Sequence, residues 1–194
     1  MDCGRRRLLV ATATVGGAAG VAAAIPFVAS MTPSERAKAA GAPVEADIGK
    51  LSAGQMMTVE WRGKPVWIIH RTPEMLAGLK KTDEKVADPQ SDKPMQPEYC
   101  KNEHRSIKPE IFVAIGICTH LGCSPTDKFA TGQASGIDAD WQGGFLCPCH
   151  GSTFDLAGRV FKSKPAPDNL VVPPYKFDGD SKLVIGIGQD GKEA

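Results

Sequence analysis

Cys118-Thr119-His120-Leu121-Gly122-Cys123 and Cys147-Pro148-Cys149-His150-Gly151-Ser152 decide how this chain is read. They hold four of its six cysteines and two of its four histidines. Each box offers thiolates and an imidazole within a few residues, the donor pattern of a metal site. Gly122, Gly151 and Pro148 suit tight turns that bring backbone N–H groups toward sulfur. A structural zinc ion is the plainest occupant. It takes four ligands and leaves two thiols without a role.

Around the boxes the sequence reads as short β segments separated by turn signals. Met56–Trp61 and Lys64–His70 flank Arg62-Gly63 and predict a hairpin. Thr72-Pro73-Glu74 predicts a helix start, with Thr as N-cap, Pro in the first turn and Glu near the positive end. That helix should run to about Lys80. Residues 81–109 are polar and Pro-rich and read as a long surface excursion. Residues 111–117 form an apolar strand. Further strands are expected at 145–147, 153–154, 159–161, 170–172 and 182–187, with turns at 155–158 and 178–180. The fold class is therefore mostly β and antiparallel.

The chain has 194 residues, enough for one ordinary domain and an appendage. Its net charge of +1 gives no reason to expect a nucleic-acid partner. With 42% hydrophobic but only 6% aromatic residues, the core should be largely aliphatic.

The appendage is amino-terminal. Arg5-Arg6-Arg7 precedes a run without charge from Leu8 to Ser34. Residues 8–29 as a helix would span ~33 Å, enough for a ~30 Å hydrocarbon layer. Gly16, Gly17 and Gly20 suit close packing of helices in lipid. We expect a retained single-pass anchor at residues 1–31; a signal cleaved near Val28-Ala29-Ser30 is the alternative. The arginine pair also resembles a twin-arginine export signal, although Asp2-Cys3-Gly4 departs from the usual Ser or Thr before the pair. Basic flanks stay in the cytoplasm, so the rest should lie across the inner membrane, in the periplasm. Residues 32–50 read as a hinge linker, helical before Gly41. Residues 51–194 read as the soluble domain, with the two boxes inside 111–168.

The paired boxes resemble those of the Rieske iron–sulfur proteins of quinol–cytochrome c oxidoreductases, and with anchor and hinge the resemblance covers nearly the whole chain. It implies an antiparallel β-sandwich with a small cluster-binding subdomain. It implies a 2Fe-2S cluster whose buried iron is held by Cys118 and Cys147, and whose outer iron is held by His120 and His150. It implies a Cys123–Cys149 disulfide tying the two boxes together, a bond that an oxidising compartment permits. Two neutral imidazoles in place of two thiolates make the site less negative, which raises its potential into a range of roughly −150 to +300 mV. They also leave a second, ionisable nitrogen on each ring, so electron and proton uptake are coupled.

The same resemblance gives further residues roles. Ser152 matches a serine whose hydroxyl donates to a bridging sulfide. Phe154 stands where many mitochondrial-type members have a tyrosine that donates to a ligand cysteine. Leu121 matches a leucine that shields the cluster and contacts the quinol pocket. Lys164-Pro165-Ala166-Pro167 resembles the proline loop that forms the cluster's third wall, with Lys164 where many members have Gly. His150 is expected to meet the quinol, with His120 the second exposed ligand. The implied activity is transfer of one electron and a coupled proton from ubiquinol, then delivery to a c-type cytochrome by movement of the head. The implied partners are a cytochrome b subunit and a c-type cytochrome subunit, in a dimeric multi-subunit complex. The Rieske small subunit of arsenite oxidases is the competing reading. A structural zinc domain is the remote one. His70, His104, Trp61, Trp67 and Trp141 read as packing or surface residues, and Cys100 as an unpaired or buried thiol.

Overall fold

The computed structural model describes residues 3–35, 37 and 41–192, which fall into two units divided between Gly41 and Ala42. In the first, α1 (Cys3–Ala29) begins before the arginines, and its most apolar 18 residues have a mean hydropathy of 1.9. It is long and apolar enough to cross a membrane. Its threonines do not leave hydroxyls unpaired: Thr12 and Thr14 donate to the carbonyls of Leu8 and Val10, each at 2.9 Å. Of the expected linker, residues 36 and 38–40 lie outside the described residues.

The second unit is built from antiparallel three-stranded sheets. The first pairs β1 (Val44–Asp47), β9 (Lys182–Ile185) and β8 (Tyr175–Asp178), in that order. The second pairs β2 (Met56–Trp61), β3 (Lys64–His70) and β4 (Ile111–Ile115). The third pairs β5 (Thr126–Lys128), β6 (Gly144–Leu146) and β7 (Thr153–Asp155). The predicted hairpin forms, with Trp61 opposite Lys64 and Met56 opposite Ile69. The linker is shorter than expected, because Val44–Asp47 pairs with Lys182–Ile185 well before Lys50.

One hydrophobic core runs through all three sheets. It takes Ala46, Leu183 and Ile185 from the first, Val66, Ile68 and Val113 from the second, and Phe145 and Phe154 from the third. The indole of Trp67 stacks on Phe145 with ring centroids 4.7 Å apart, which fastens the second sheet to the third. Gly116 lies so close to that indole that any side chain there would run into it. The chain therefore passes from β4 into the first box under Trp67 only because residue 116 is glycine. All three tryptophans are buried, as a packing role requires.

α2 (Pro73–Thr82) starts at the predicted cap, with the Thr72 hydroxyl accepting the N–H of Met75. Its Leu79 packs on Leu156 and Ala157 of the turn after β7. Residues 170–172 do not form a strand. Pro173 and Pro174 follow them, and their backbone bonds go singly, Ile115 N–H to Val171 and Val172 N–H to Met95.

The polar stretch 81–109 is not a surface excursion. Val86, Ser91, Cys100 and Arg105 in it are fully buried. The Arg105 guanidinium donates to the carbonyls of Ala157 and Leu170 and to Gln96 Oε1, at 3.0, 2.8 and 2.9 Å. Arg71 does the same for Leu156 and His104. Burial pulls both guanidinium groups down to about 10, so both remain charged at neutral pH. Irregular loops carry carbonyls that no ladder satisfies, and buried arginines supply the donors.

Candidate metal centre

Each box folds as one five-residue turn, and the two turns are built alike. In the first, the N–H of Cys118 donates to the carbonyl of Cys123 and the N–H of Gly122 returns to Cys118. In the second, Cys147 N–H donates to Ser152 and Gly151 N–H returns to Cys147. Gly122 and Gly151 have φ of 83° and 74°, the left-handed conformation that the return bond needs. The first turn leaves β4; the second links β6 to β7. Sequence periodicity placed both boxes between strands, and the sheets hold them side by side.

The ligand candidates divide by depth. Cys118 and Cys147 are free and buried, 3% and 2% exposed. His150 is exposed and His120 half-buried, with ring centroids 4.8 Å apart and planes at 89°. Leu121, in the first turn next to His120, is 72% exposed. Cys123 and Cys149 form the disulfide that joins the two turns. Their sulfurs and that of Cys147 lie within 4.8 Å of one another, but the bonded pair has no thiolate to offer a metal. The donor set is thus two thiols inside and two imidazoles outside, which fits a 2Fe-2S cluster ligated by cysteine on one iron and histidine on the other.

Burial pushes the Cys118 thiol up, and the adjacent Cys147 adds to this. The N–H of His120 and the hydroxyl of Ser152 pull it down. Those same donors would stabilise a metal-bound thiolate. Ser152 is fully buried, and its hydroxyl oxygen also accepts the N–H of Ala166 at 3.0 Å. Phe154 is fully buried in the core and brings no donor.

Three residues at this site were not singled out from sequence. Thr119 donates its hydroxyl to the Asp168 carbonyl at 2.6 Å, tying the first turn to the proline loop. Asp168 in turn receives Lys93, from the polar stretch, at 2.6 Å. Thr119 could have been found from its place inside the first box, but nothing local marks Lys93. The weaker candidates stay apart from the centre: His70 Nδ1 bonds the Leu51 carbonyl, and His104 pairs with Glu103.

Residues 43–176 match the Rieske [2Fe-2S] domain family, and residues 2–34 match the Ubiquitinol-cytochrome C reductase Fe-S subunit TAT signal family. The chain is 61% identical to the ubiquinol-cytochrome c reductase iron-sulfur subunit of Allochromatium vinosum, covering 94% of this chain and 88% of that one. It is 43% identical to the subunit of the same name from Blastochloris viridis, covering 93% and 91%. Among solved structures, a chain of a hyperthermophilic respiratory Complex III is 27% identical over 90% of this chain and 97% of its own, with a TM-score of 0.49. The relatives decide against the arsenite-oxidase and zinc readings. The chain belongs to the Rieske iron–sulfur subunits of ubiquinol–cytochrome c reductase, an oxidoreductase complex in which it is the electron-transfer subunit carrying a 2Fe-2S cluster.

Proposed function

We propose that Cys118 and Cys147 hold the inner iron, that His120 and His150 hold the outer iron, and that His150 is the residue that meets ubiquinol. The observation that carries this reading is the division by depth: both thiols are buried while His150 and Leu121 stand exposed at the same tip. A quinol can reach an imidazole there without reaching the thiols of Cys118 and Cys147. The bound cluster supplies a one-electron acceptor. With one His150 ring nitrogen given to the cluster, the other would accept the quinol hydrogen bond and hold the proton that leaves with the electron. Leu121 covers the approach and excludes water from it. Ser152 and the N–H of His120 steady the thiolate side.

The partners in this proposal are a cytochrome b subunit, which shares the quinol site and takes the second electron, and a c-type cytochrome. The head travels between them on a hinge that begins near Ser34, within a dimeric complex. α1 is the retained anchor in the bacterial inner membrane. Arg5, Arg6 and Arg7 hold its start in the cytoplasm and the head lies in the periplasm.

The test is electron paramagnetic resonance of ascorbate-reduced native membranes, with and without the quinol-site inhibitor stigmatellin. A Rieske-type signal that shifts with inhibitor is the expected result. A signal indifferent to the inhibitor would remove the quinol assignment and leave the cluster standing.

A further inference from the structure

The proline loop beside the first turn cannot hold itself in place. Pro165 and Pro167 have no N–H, so the segment cannot join a backbone ladder. Ala166, Pro167 and Asp168 are instead each bonded by a different part of the chain. Ser152 accepts the Ala166 N–H, Thr119 donates to the Asp168 carbonyl, and Lys93 Nζ donates to the Pro167 carbonyl at 2.9 Å and to Asp168 Oδ1 at 2.6 Å.

Lys93 is itself held by a built turn. The Asp88 carboxylate accepts the N–H groups of Asp92 and Lys93, at 2.9 and 3.2 Å. Gln96 Nε2 donates to the carbonyls of Ser91 and Lys93, and Gln96 Oε1 is fixed by the buried Arg105. The Lys93 ammonium is half exposed, and such an ion pair contributes little to global stability. Its position matters more. Asp168 is one hydrogen bond from Thr119, which lies between Cys118 and His120. Left alone, its carboxylate would oppose any electron added beside it.

We propose that Lys93 is a positioning residue for the redox step: it straps the proline loop to the first ligand turn and cancels the charge of Asp168 there. This rests on the cluster assignment under Proposed function. Two substitutions then act in opposite directions. Lys93→Gln uncovers the carboxylate and makes reduction harder, by about threefold in the one-electron equilibrium, or ~30 mV at 59 mV per tenfold. Asp168→Asn removes the carboxylate, keeps the backbone carbonyl that Thr119 uses, and makes reduction easier by a similar factor. Lys93→Arg keeps the wild-type potential. A merely structural role would move both neutralising variants the same way.

The experiment is an EPR-monitored redox titration of the full subunit in native membranes, with spin quantitation of the signal. A lower midpoint for Lys93→Gln and a higher one for Asp168→Asn, at unchanged spin content, is the expected result. Unchanged midpoints, or shifts of the same sign, overturn the proposal. If Lys93→Gln does not accumulate, Asp168→Asn decides alone by the sign of its shift. Absence of a Rieske-type signal from the wild type would instead overturn the cluster assignment, so the two failures are distinguishable.

Discussion

Asp155 and Arg159 form an ion pair at 2.8 Å with both side chains only 1% exposed. It locks the turn that follows the second box. Asp155 Oδ1 accepts the N–H groups of Ala157 and Arg159, and its Oδ2 accepts the Thr82 hydroxyl. Arg159 reaches on to Asp83 and to the carbonyl of Leu79, so the end of α2 is pinned to the strand that leaves the second box. Removing Asp155 takes away the buried partner of the Arg159 guanidinium and leaves it only Asp83, whose side chain is 45% exposed. Asp155→Ala should destabilise the head by ~3–5 kcal/mol. Thermal unfolding of the solubilised subunit checks this; a midpoint equal to wild type would show that the pair is dispensable.

Phe154→Tyr should raise the midpoint potential. Phe154 lies two residues past Ser152 on β7, and the family resemblance places a donor to a ligand cysteine at this position. One added hydrogen bond is worth ~1 kcal/mol, which is ~40 mV for a one-electron couple. The redox titration reads this directly. No change, or a fall, would mean that a hydroxyl at this position does not reach sulfur.

The Cys123–Cys149 bond closes a loop with a sequence separation of 26. In the chain-entropy account, a loop of that size contributes about 3.5 kcal/mol. Cys123→Ala with Cys149→Ala should lower the unfolding midpoint accordingly. The Rieske-type EPR signal should also be lost at a lower temperature than in wild type, because this bond ties the two turns directly to each other. Equal thermal loss of the signal in the two proteins would show that ligation alone holds the turns together.

Local signals made the hairpin and the boxes legible. Arg62 and Gly63 both adopt positive φ, 53° and 69°, the backbone that a two-residue hairpin turn needs, and the flanking strands are long enough to show their pattern. The boxes are legible because their chemistry is contained in six residues each. β1, β5 and β8 are not legible. Each has only three or four residues and mixed exposure, so hydropathy alternation has too little length to register. Residues 81–109 misled for the opposite reason. A polar sequence reads as surface, although the buried Arg105 within it is a donor that the loop carbonyls of Ala157 and Leu170 require. The pairing of Lys93 with Asp168 joins residues that no local pattern connects.

Cys100 gives a pH dependence. It is free, fully buried and directed at the Tyr175 hydroxyl at 3.8 Å. Burial pushes its thiol from 9.0 up to about 11, and burial also raises the Tyr175 phenol. Both groups favour the neutral form in the fold. Their contribution is complete below the unfolded pKa and is lost as pH rises through the folded one. Stability should therefore fall between pH 9 and about 11, by about 2 kcal/mol from Cys100. Cys100→Ala should flatten part of that fall in urea unfolding measured at several pH values. An unaltered pH profile in the variant would assign the loss to other groups.

The proposed hinge is confined by the fold on one side. Val44 already pairs with Ile185, so the proposed hinge ends by Pro43 rather than at Lys50. Proline fixes φ and removes a donor, so two added prolines between Ser34 and Ala42 would restrict that segment without touching β1. If the head must travel between the quinol site and a c-type cytochrome, such a variant should keep its EPR spectrum and its midpoint. It should still take an electron from quinol, and should reduce the cytochrome more slowly. Flash or stopped-flow kinetics on assembled complex separate the two steps. Slower quinol oxidation with unchanged delivery would place the constraint at the quinol site. Unchanged rates for both would mean that the head delivers its electron without this movement.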